Sequence, residues 1–289
     1  MKKVLITGIN GYLGSKLAKA LSASYHVVGL EYSLDNLFRI KDDNLQVYPV
    51  ANGIPGEVFN DHIFDVIIHA ATFYGRDKED IVTMANANTF IPFDLLDKAI
   101  NNNCKLFINT DTVLDRFVSV YALTKRHFQE WLYMRRKQIK VVNMQLEHFY
   151  GPGCSNTNFI TAMVERMKRN DPSIDLTKGE QLRNFVYIDD VLNAYLTVVE
   201  KEHQINNDYS HYQVGTDDLV SIKDTLLIIK ELTNSNSILN FGAIPYRENE
   251  LMKSDVDNKA LLNIGWQSKF TLRDGLYLTA NYDITSTAG

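Results

Sequence analysis

The chain predicts an α/β protein, a Rossmann-type doubly wound parallel sheet with a smaller C-terminal α/β substrate lobe. Three observations predict it. Short β-branched runs alternate with helical periods through the first half. A glycine-rich turn joins the first such run to the first helix. The texture then breaks after Tyr150, where "GPGCSNTN" opens a loop.

The runs "KVLIT" (3–7), "HVVGL" (26–30), "LQVYPV" (45–50), "DVIIHA" (65–70), "KLFINT" (105–110) and "KVVNMQL" (140–146) read as strands. Between them, 12–22, 79–101 and 119–137 carry helical spacing. Strand and helix in alternation give right-handed βαβ units with helices on both faces of the sheet. Pro92 interrupts the second helical segment and predicts a kink or a new turn there. The expected division is a Rossmann domain over 1–150 and a smaller lobe over 151–289, with some segments returning to the core. The polar tail "NYDITSTAG" is expected to be loose.

Composition narrows the function. A formal net charge of −5 over 289 residues offers no basic face for nucleic acid. The two cysteines, Cys104 and Cys154, stand far apart, which fits neither a disulfide framework nor a zinc site and suits a reducing cytoplasm. The apolar run in "MKKVLITG" is too short for a secretion signal, and no segment approaches the length of a membrane span.

"VLITGINGYLGSKLAKAL" places Gly8, Gly11 and Gly14 between strand and helix. Dinucleotide binding asks for that arrangement: one glycine for the tight turn, one for close approach of a pyrophosphate, one for strand–helix packing. The anion then lies at the helix N-terminus, where free N–H groups and the dipole favour it. Glu31 ends the second strand about 20 residues on, the usual place for an acid that accepts from the ribose 2′-hydroxyl and repels a 2′-phosphate. It favours NAD(H). Arg39 could serve a phosphate, so NADP(H) stays open.

Tyr121 and Lys125 are spaced i, i+4 on an expected helix and so share a face. A phenol ordinarily ionises near about pH 10, and an adjacent ammonium favours the phenolate. The pair suits proton transfer at a carbonyl–alcohol centre. Thr110, at the carboxyl end of its strand, could hold the same oxygen, since open parallel sheets bind ligands at that edge.

In these motifs the chain resembles the extended branch of the short-chain dehydrogenase/reductase superfamily. "TGINGYLG" is similar to its TGxxGxxG loop, which implies cofactor contacts from Gly8, Asn10, Gly11, Tyr12, Leu13 and Gly14. "VIIHAAT" resembles the fourth-strand HxAA element, with Ala70 and Ala71 beside the cofactor. Asn88 falls at the branch's structural and cofactor-side asparagine. "QLEHFYGPG" and "GEQLRNFVYIDDVLNAYL" resemble the RxxNVYGPG element and the substrate segment. The resemblance gives Thr110, Tyr121 and Lys125 the catalytic roles, Tyr121 and Lys125 also touching the cofactor, and implies a homodimer through the helices at 79–101 and 119–137.

Where the related dehydratases read Thr-Asp-Glu, this chain reads Thr110-Asp111-Thr112. A threonine has no carboxylate for water elimination, so a dehydratase is not expected and Thr112 is assigned to the substrate side. The whole string is most similar to the CDP-abequose and CDP-paratose synthases, with the dTDP-4-keto-6-deoxyglucose reductases close by. The resemblance implies an NAD(P)H-dependent nucleotide-sugar 4-ketoreductase of O-antigen biosynthesis. Gln145 departs from an Arg frequent in the branch, and His148 from an Asn. His148, Arg183 and Arg247 are expected at the sugar diphosphate, a guanidinium fork fitting paired phosphate oxygens. Tyr74, Cys154 and Phe159 are expected in the sugar pocket. A nucleotide-sugar 4-epimerase with tightly held NAD uses the same residues and is the alternative; a non-catalytic dinucleotide sensor is a remoter one.

Overall fold

The computed structural model describes residues 1–75, 79–248 and 250–282; the tail from 283 onward lies outside them. Strands β1 (Lys3–Thr7), β2 (His26–Glu31), β3 (Gln46–Pro49), β4 (Val66–His69), β5 (Leu106–Thr112) and β6 (Lys140–Leu146) form from the six apolar runs. Helices α1 (Tyr12–Ser22), α2 (Glu57–Asp61), α3 (Ile81–Ala85), α4 (Ile91–Asn101) and α5 (Val120–Arg135) lie between them. Next come strands β7 (His148–Tyr150), β8 (Ser173–Leu176), β9 (Leu182–Arg183), β10 (Phe185–Tyr187), β11 (Tyr209–Val214), β12 (Val220–Ser221) and β13 (Ile238–Phe241). Their helices are α6 (Phe159–Lys168), α7 (Ile188–Glu200), α8 (Ile222–Leu232), α9 (Lys259–Asn263) and α10 (Leu272–Ala280).

The large sheet has the order β11-β6-β5-β4-β1-β2-β3, and its pairings from β6 across to β3 are parallel. The chain begins in the middle at β1, runs outward to β3, then crosses back to β4 on the other side of β1. That reversal makes β1/β4 the topological switch point, where such sheets bind ligands beyond the strands' carboxyl ends. Gly8 and Ala70 follow those two strands directly.

The helical segment at 79–101 runs without a gap from Ile81 to Asn101, and a new α-helical stretch begins at Ile91, next to Pro92. A π-helical turn, Asn86–Phe90, separates α3 from α4, and Pro92 occupies the first turn of α4. Ile91 N still donates back to Asn86 O, so Pro92, which has no N–H to give, falls where the π-type bonding passes into α4.

The chain divides into two compact units. The first comprises Met1–Leu146, Leu192–Gln213 and Asn263–Gly265; the second comprises Glu147–Val191, Val214–Leu262 and Trp266–Gly289. Within the first, Leu5, Val28, Ile67, Phe107 and Val141 line up across the sheet against Leu95 and Leu96 of α4 and Phe128 and Leu132 of α5. Each such aliphatic or aromatic side chain contributes about 1.5–3 kcal/mol by leaving water. Within the second, three two-stranded pairs form, β7–β10, β9–β12 and β8–β13. The Asp190 carboxylate there accepts from the backbone N–H groups of Lys269 and Phe270, and the Trp266 indole donates to the Asp190 carbonyl. Among the described residues no helix is long and apolar enough to cross a membrane.

Candidate active site

The glycine turn is built by close approach. Gly8 has φ of +64°, and a Cβ placed on it would lie 2.8 Å from Ala71 Cα. A Cβ on Gly14 would lie 2.1 Å from the Gly8 carbonyl oxygen, and one on Gly11 would lie 2.9 Å from the same atom. Side chains are thus barred at all three positions. Gly11 caps α1, whose first-turn N–H groups have no intrahelical partner. A cradle without side chains at a helix N-terminus fits a pyrophosphate.

Glu31 closes over this turn. Its carboxylate accepts from Asn10 N at 2.8 Å and from Tyr32 N at 3.0 Å. The Asn10 side chain ties the turn to the loop after β2, donating to Asn36 O at 2.9 Å and accepting from Arg39 N at 2.9 Å. Arg39 lies 5.7 Å over the Tyr12 ring. Each carboxylate oxygen carries two lone pairs, so Glu31 keeps capacity for a ribose hydroxyl.

Tyr121 and Lys125 stand one turn apart near the start of α5, which Ser119 caps through its hydroxyl at 3.1 Å from Ala122 N. The Tyr121 ring packs on Tyr74, centroids 5.0 Å apart and planes tilted by 42°. Lys125 is only 1% exposed. Burial pulls its ionisation down to about 8, against the opposing pull of the Asp111 carboxylate. His69 is buried beside it, and burial first, then the lysine charge, keeps its imidazole well below the usual range and hence neutral. His69 Nδ1 lies 2.8 Å from Thr7 Oγ1, which also accepts from Ala71 N at 3.0 Å, fixing the end of β4 against β1.

Along β5, Phe107 packs edge-on against Phe128 of α5, whereas the Thr110 hydroxyl meets Tyr195 OH of α7 at 2.7 Å. Asn88, in the π-helical turn, is 2% exposed and bonds both backbone atoms of Phe73, in the loop that carries Tyr74. Single-turn π segments inside helices occur often at functional sites.

A polar ring that the sequence reading missed holds the end of β5. Asn109 Nδ2 donates to Asn143 Oδ1 at 2.7 Å, and Asn143 Nδ2 donates to Asp111 Oδ2 at 2.8 Å. Asn143 Nδ2 also lies 3.3 Å from His211 Nδ1; His211 Nε2 lies 3.0 Å from Gln145 Oε1, and Gln145 Nε2 donates to Thr112 O at 3.1 Å. Thr112 N closes the ring on Asp111 Oδ1 at 2.8 Å. Gln145, the departure from an expected Arg, anchors Thr112. The signal in the sequence was the alternation Asn109–Asp111 on β5 beside Asn143–Gln145 on β6, polar pairs where a buried strand is otherwise apolar.

The remaining candidates belong to the second unit. Arg183, 7% exposed, pairs with Glu250 at 2.6 Å and donates to Leu182 O. Burial pulls its ionisation down, opposed by Glu250 and then Glu147. His148 is half-buried, its Nδ1 3.6 Å from the buried Glu147 carboxylate and its ring edge-on to Phe185. Cys154, half-buried in the loop after β7, is not in a disulfide, and Phe159 opens α6 and is 38% exposed. Arg247 is exposed.

Comparison with known proteins agrees with this arrangement. The family described as "NAD dependent epimerase/dehydratase family" matches residues 4–215. A CDP-abequose synthase of Salmonella typhimurium is 35% identical over 94% of this chain and 95% of its own length. One from Salmonella muenchen is 30% identical over 95% and 96%. The fold is shared with the UDP-glucose 4-epimerase of Thermotoga maritima, solved with UDP-glucose: TM-score 0.85 at 23% identity, covering 97% of this chain and 98% of that one. With a glycine cradle at the switch point, an intact tyrosine–lysine pair and these matches over most of its length, the chain belongs to the NAD dependent epimerase/dehydratase family.

Proposed function

We propose that the chain is an NAD(P)H-dependent nucleotide-sugar 4-ketoreductase. It reduces the 4-keto group of a nucleotide-diphospho-4-keto-deoxyhexose, CDP- or dTDP-linked, in the making of O-antigen sugars. The observation that carries this reading is an intact Tyr121–Lys125 pair in a chain alike over nearly its full length to a CDP-abequose synthase. Thr112, in place of the dehydratase glutamate, supports reduction over elimination.

The reduced nicotinamide, when bound, supplies the hydride. Gly8, Gly11 and Gly14, with the amino end of α1, hold its pyrophosphate, and Ala70 and Ala71 leave room beside it. Glu31 accepts from the adenosine ribose and so favours NAD(H). Lys125 binds the nicotinamide ribose and sets its charge beside Tyr121, which gives its proton to the C4 oxygen. Thr110 positions that oxygen, and orientation accounts for much of the rate. Arg183, Arg247 and His148 hold the sugar diphosphate; Tyr74, Thr112, Cys154 and Phe159 shape the sugar's surroundings.

We further propose a homodimer through α4 and α5. Phe90 (59% exposed), Trp131 (51%) and Met134 (72%) present large apolar surface on these helices or beside them. Cys104 and Cys154, neither in a disulfide, suit a cytoplasmic enzyme.

The test crosses NADH and NADPH with CDP-4-keto-3,6-dideoxyglucose and dTDP-4-keto-6-deoxyglucose and follows loss of reduced nicotinamide absorbance. Stoichiometric consumption with NADH and one of the sugars is expected. No consumption with either, from protein that retains NAD through dialysis, overturns the reading in favour of an epimerase.

A further inference from the structure

Tyr195 is a buried titratable group for which the scheme above has no task. It lies on α7, it is 0% exposed, and its hydroxyl sits 2.7 Å from Thr110 Oγ1. Among the described residues Thr110 is its only hydrogen-bonding partner.

Burial decides which oxygen donates. If Thr110 gave its proton to the phenol, the phenol's own proton would be left in the core without an acceptor, a disfavoured arrangement. A phenol is also a stronger acid than an aliphatic alcohol, hence the better donor of the two. Burial raises its ionisation above the usual range, so it remains a protonated donor at any working pH. Thr110 Oγ1 therefore accepts, and its single proton is directed elsewhere. Leu106, Phe107, Ile108 and Asn109 are at most 1% exposed, whereas Thr110 is 8% exposed, so β5 opens at this residue. A ketone has lone pairs and no proton. A hydroxyl that positions a ketone must donate to it.

We propose that Tyr195 is a positioning residue: by donating to Thr110 it turns the threonine's proton outward, as a ready donor to the C4 oxygen of the sugar. Tyr195 touches neither substrate nor cofactor in this scheme and acts through Thr110 alone. The inference rests on the ketoreductase reading.

The test is a double-mutant cycle on the full-length enzyme with NADH and the sugar it reduces. Thr110→Val is expected to lower kcat about 100-fold, as loss of one oxyanion donor does. Tyr195→Phe is expected to lower kcat about tenfold with KM within about twofold, and the double variant to be no slower than Thr110→Val. Multiplying effects, or a Tyr195→Phe enzyme as fast as the parent beside a slow Thr110→Val, would overturn the inference and leave the reading standing. A fast Thr110→Val enzyme would remove the role of Thr110 and the inference with it. If the unsubstituted enzyme reduces neither sugar, the reading fails, and hydroxyl-proton NMR of the parent still decides the pair. A slowly exchanging Tyr195 proton directed at Thr110 upholds the assignment of donor; a Thr110 proton resting on Tyr195 refutes it.

Discussion

Asn88 gives both ends of its amide to one residue. Phe73 N donates to its Oδ1 at 2.9 Å, and its Nδ2 donates to Phe73 O at 2.8 Å and reaches Thr124 Oγ1 at 3.2 Å. The loop after β4 is thereby fastened to the residue before Lys125. Asn88→Leu keeps the volume and strands the Phe73 backbone groups. It is expected to destabilise the fold by about 2 kcal/mol, read as a lower denaturant midpoint with unchanged slope. An unchanged midpoint would show that the clamp contributes nothing.

Gly14 and Gly56 form a matched pair for testing the cradle. A Cβ on Gly14 would lie 2.1 Å from the Gly8 carbonyl oxygen, whereas one on Gly56 meets nothing within 4 Å. Gly56 also has a helical φ of −64°. Gly14→Ala is expected to weaken NADH binding at least about tenfold by calorimetry. Gly56→Ala is expected to bind normally and gain about 0.5 kcal/mol of stability from a less flexible unfolded chain.

The ionisation of Lys125 near 8 sets a pH limit. Above about 8 the lysine loses its charge, so kcat/KM of the proposed reduction is expected to fall on that side. Asp111 is the group that opposes this downward shift, so Asp111→Asn should move the alkaline limb to lower pH. A limb indifferent to Asp111→Asn would detach it from Lys125. Stability has the opposite sign. The folded value lies below the unfolded 10.5, so the native state binds fewer protons between about 8 and 10.5. The cost of burying the charged lysine is full below 8 and is relieved as pH rises through that window.

Glu31 holds two backbone N–H groups, from Asn10 and Tyr32. Glu31→Gln removes the charge that would repel a 2′-phosphate. The ratio of NADPH to NADH in kcat/KM should rise about tenfold. An unchanged ratio would assign cofactor choice to another group.

Strand runs and the glycine turn were legible because their causes are local: an apolar period, a positive φ, a missing Cβ. The new α-helical stretch beginning next to Pro92 was legible for the same reason, though the π-helical turn before it was not, since "NANTF" carries no period of its own. The spacing of Tyr121 and Lys125 on one helix was readable; the packing of Tyr74 on Tyr121 was not, because it joins residues 47 positions apart by way of the fold. Asp111, Asn143, His211 and Gln145 close their ring only when β5, β6 and β11 lie side by side. Tyr195 likewise meets Thr110 across 85 positions. Such partners are set by sheet order, which no local pattern encodes.

The proposed reduction turns on the phenol of Tyr121. Tyr121→Phe removes one oxygen and keeps the ring that packs on Tyr74, so fold and NADH affinity should be retained. The decisive measurement is the rate of reduced-nicotinamide loss with the 4-keto sugar for parent and Tyr121→Phe enzymes side by side. A fall of about 10²–10⁴-fold is expected, the range for losing a general acid. Turnover within twofold of the parent, with NADH still bound, would contradict the account.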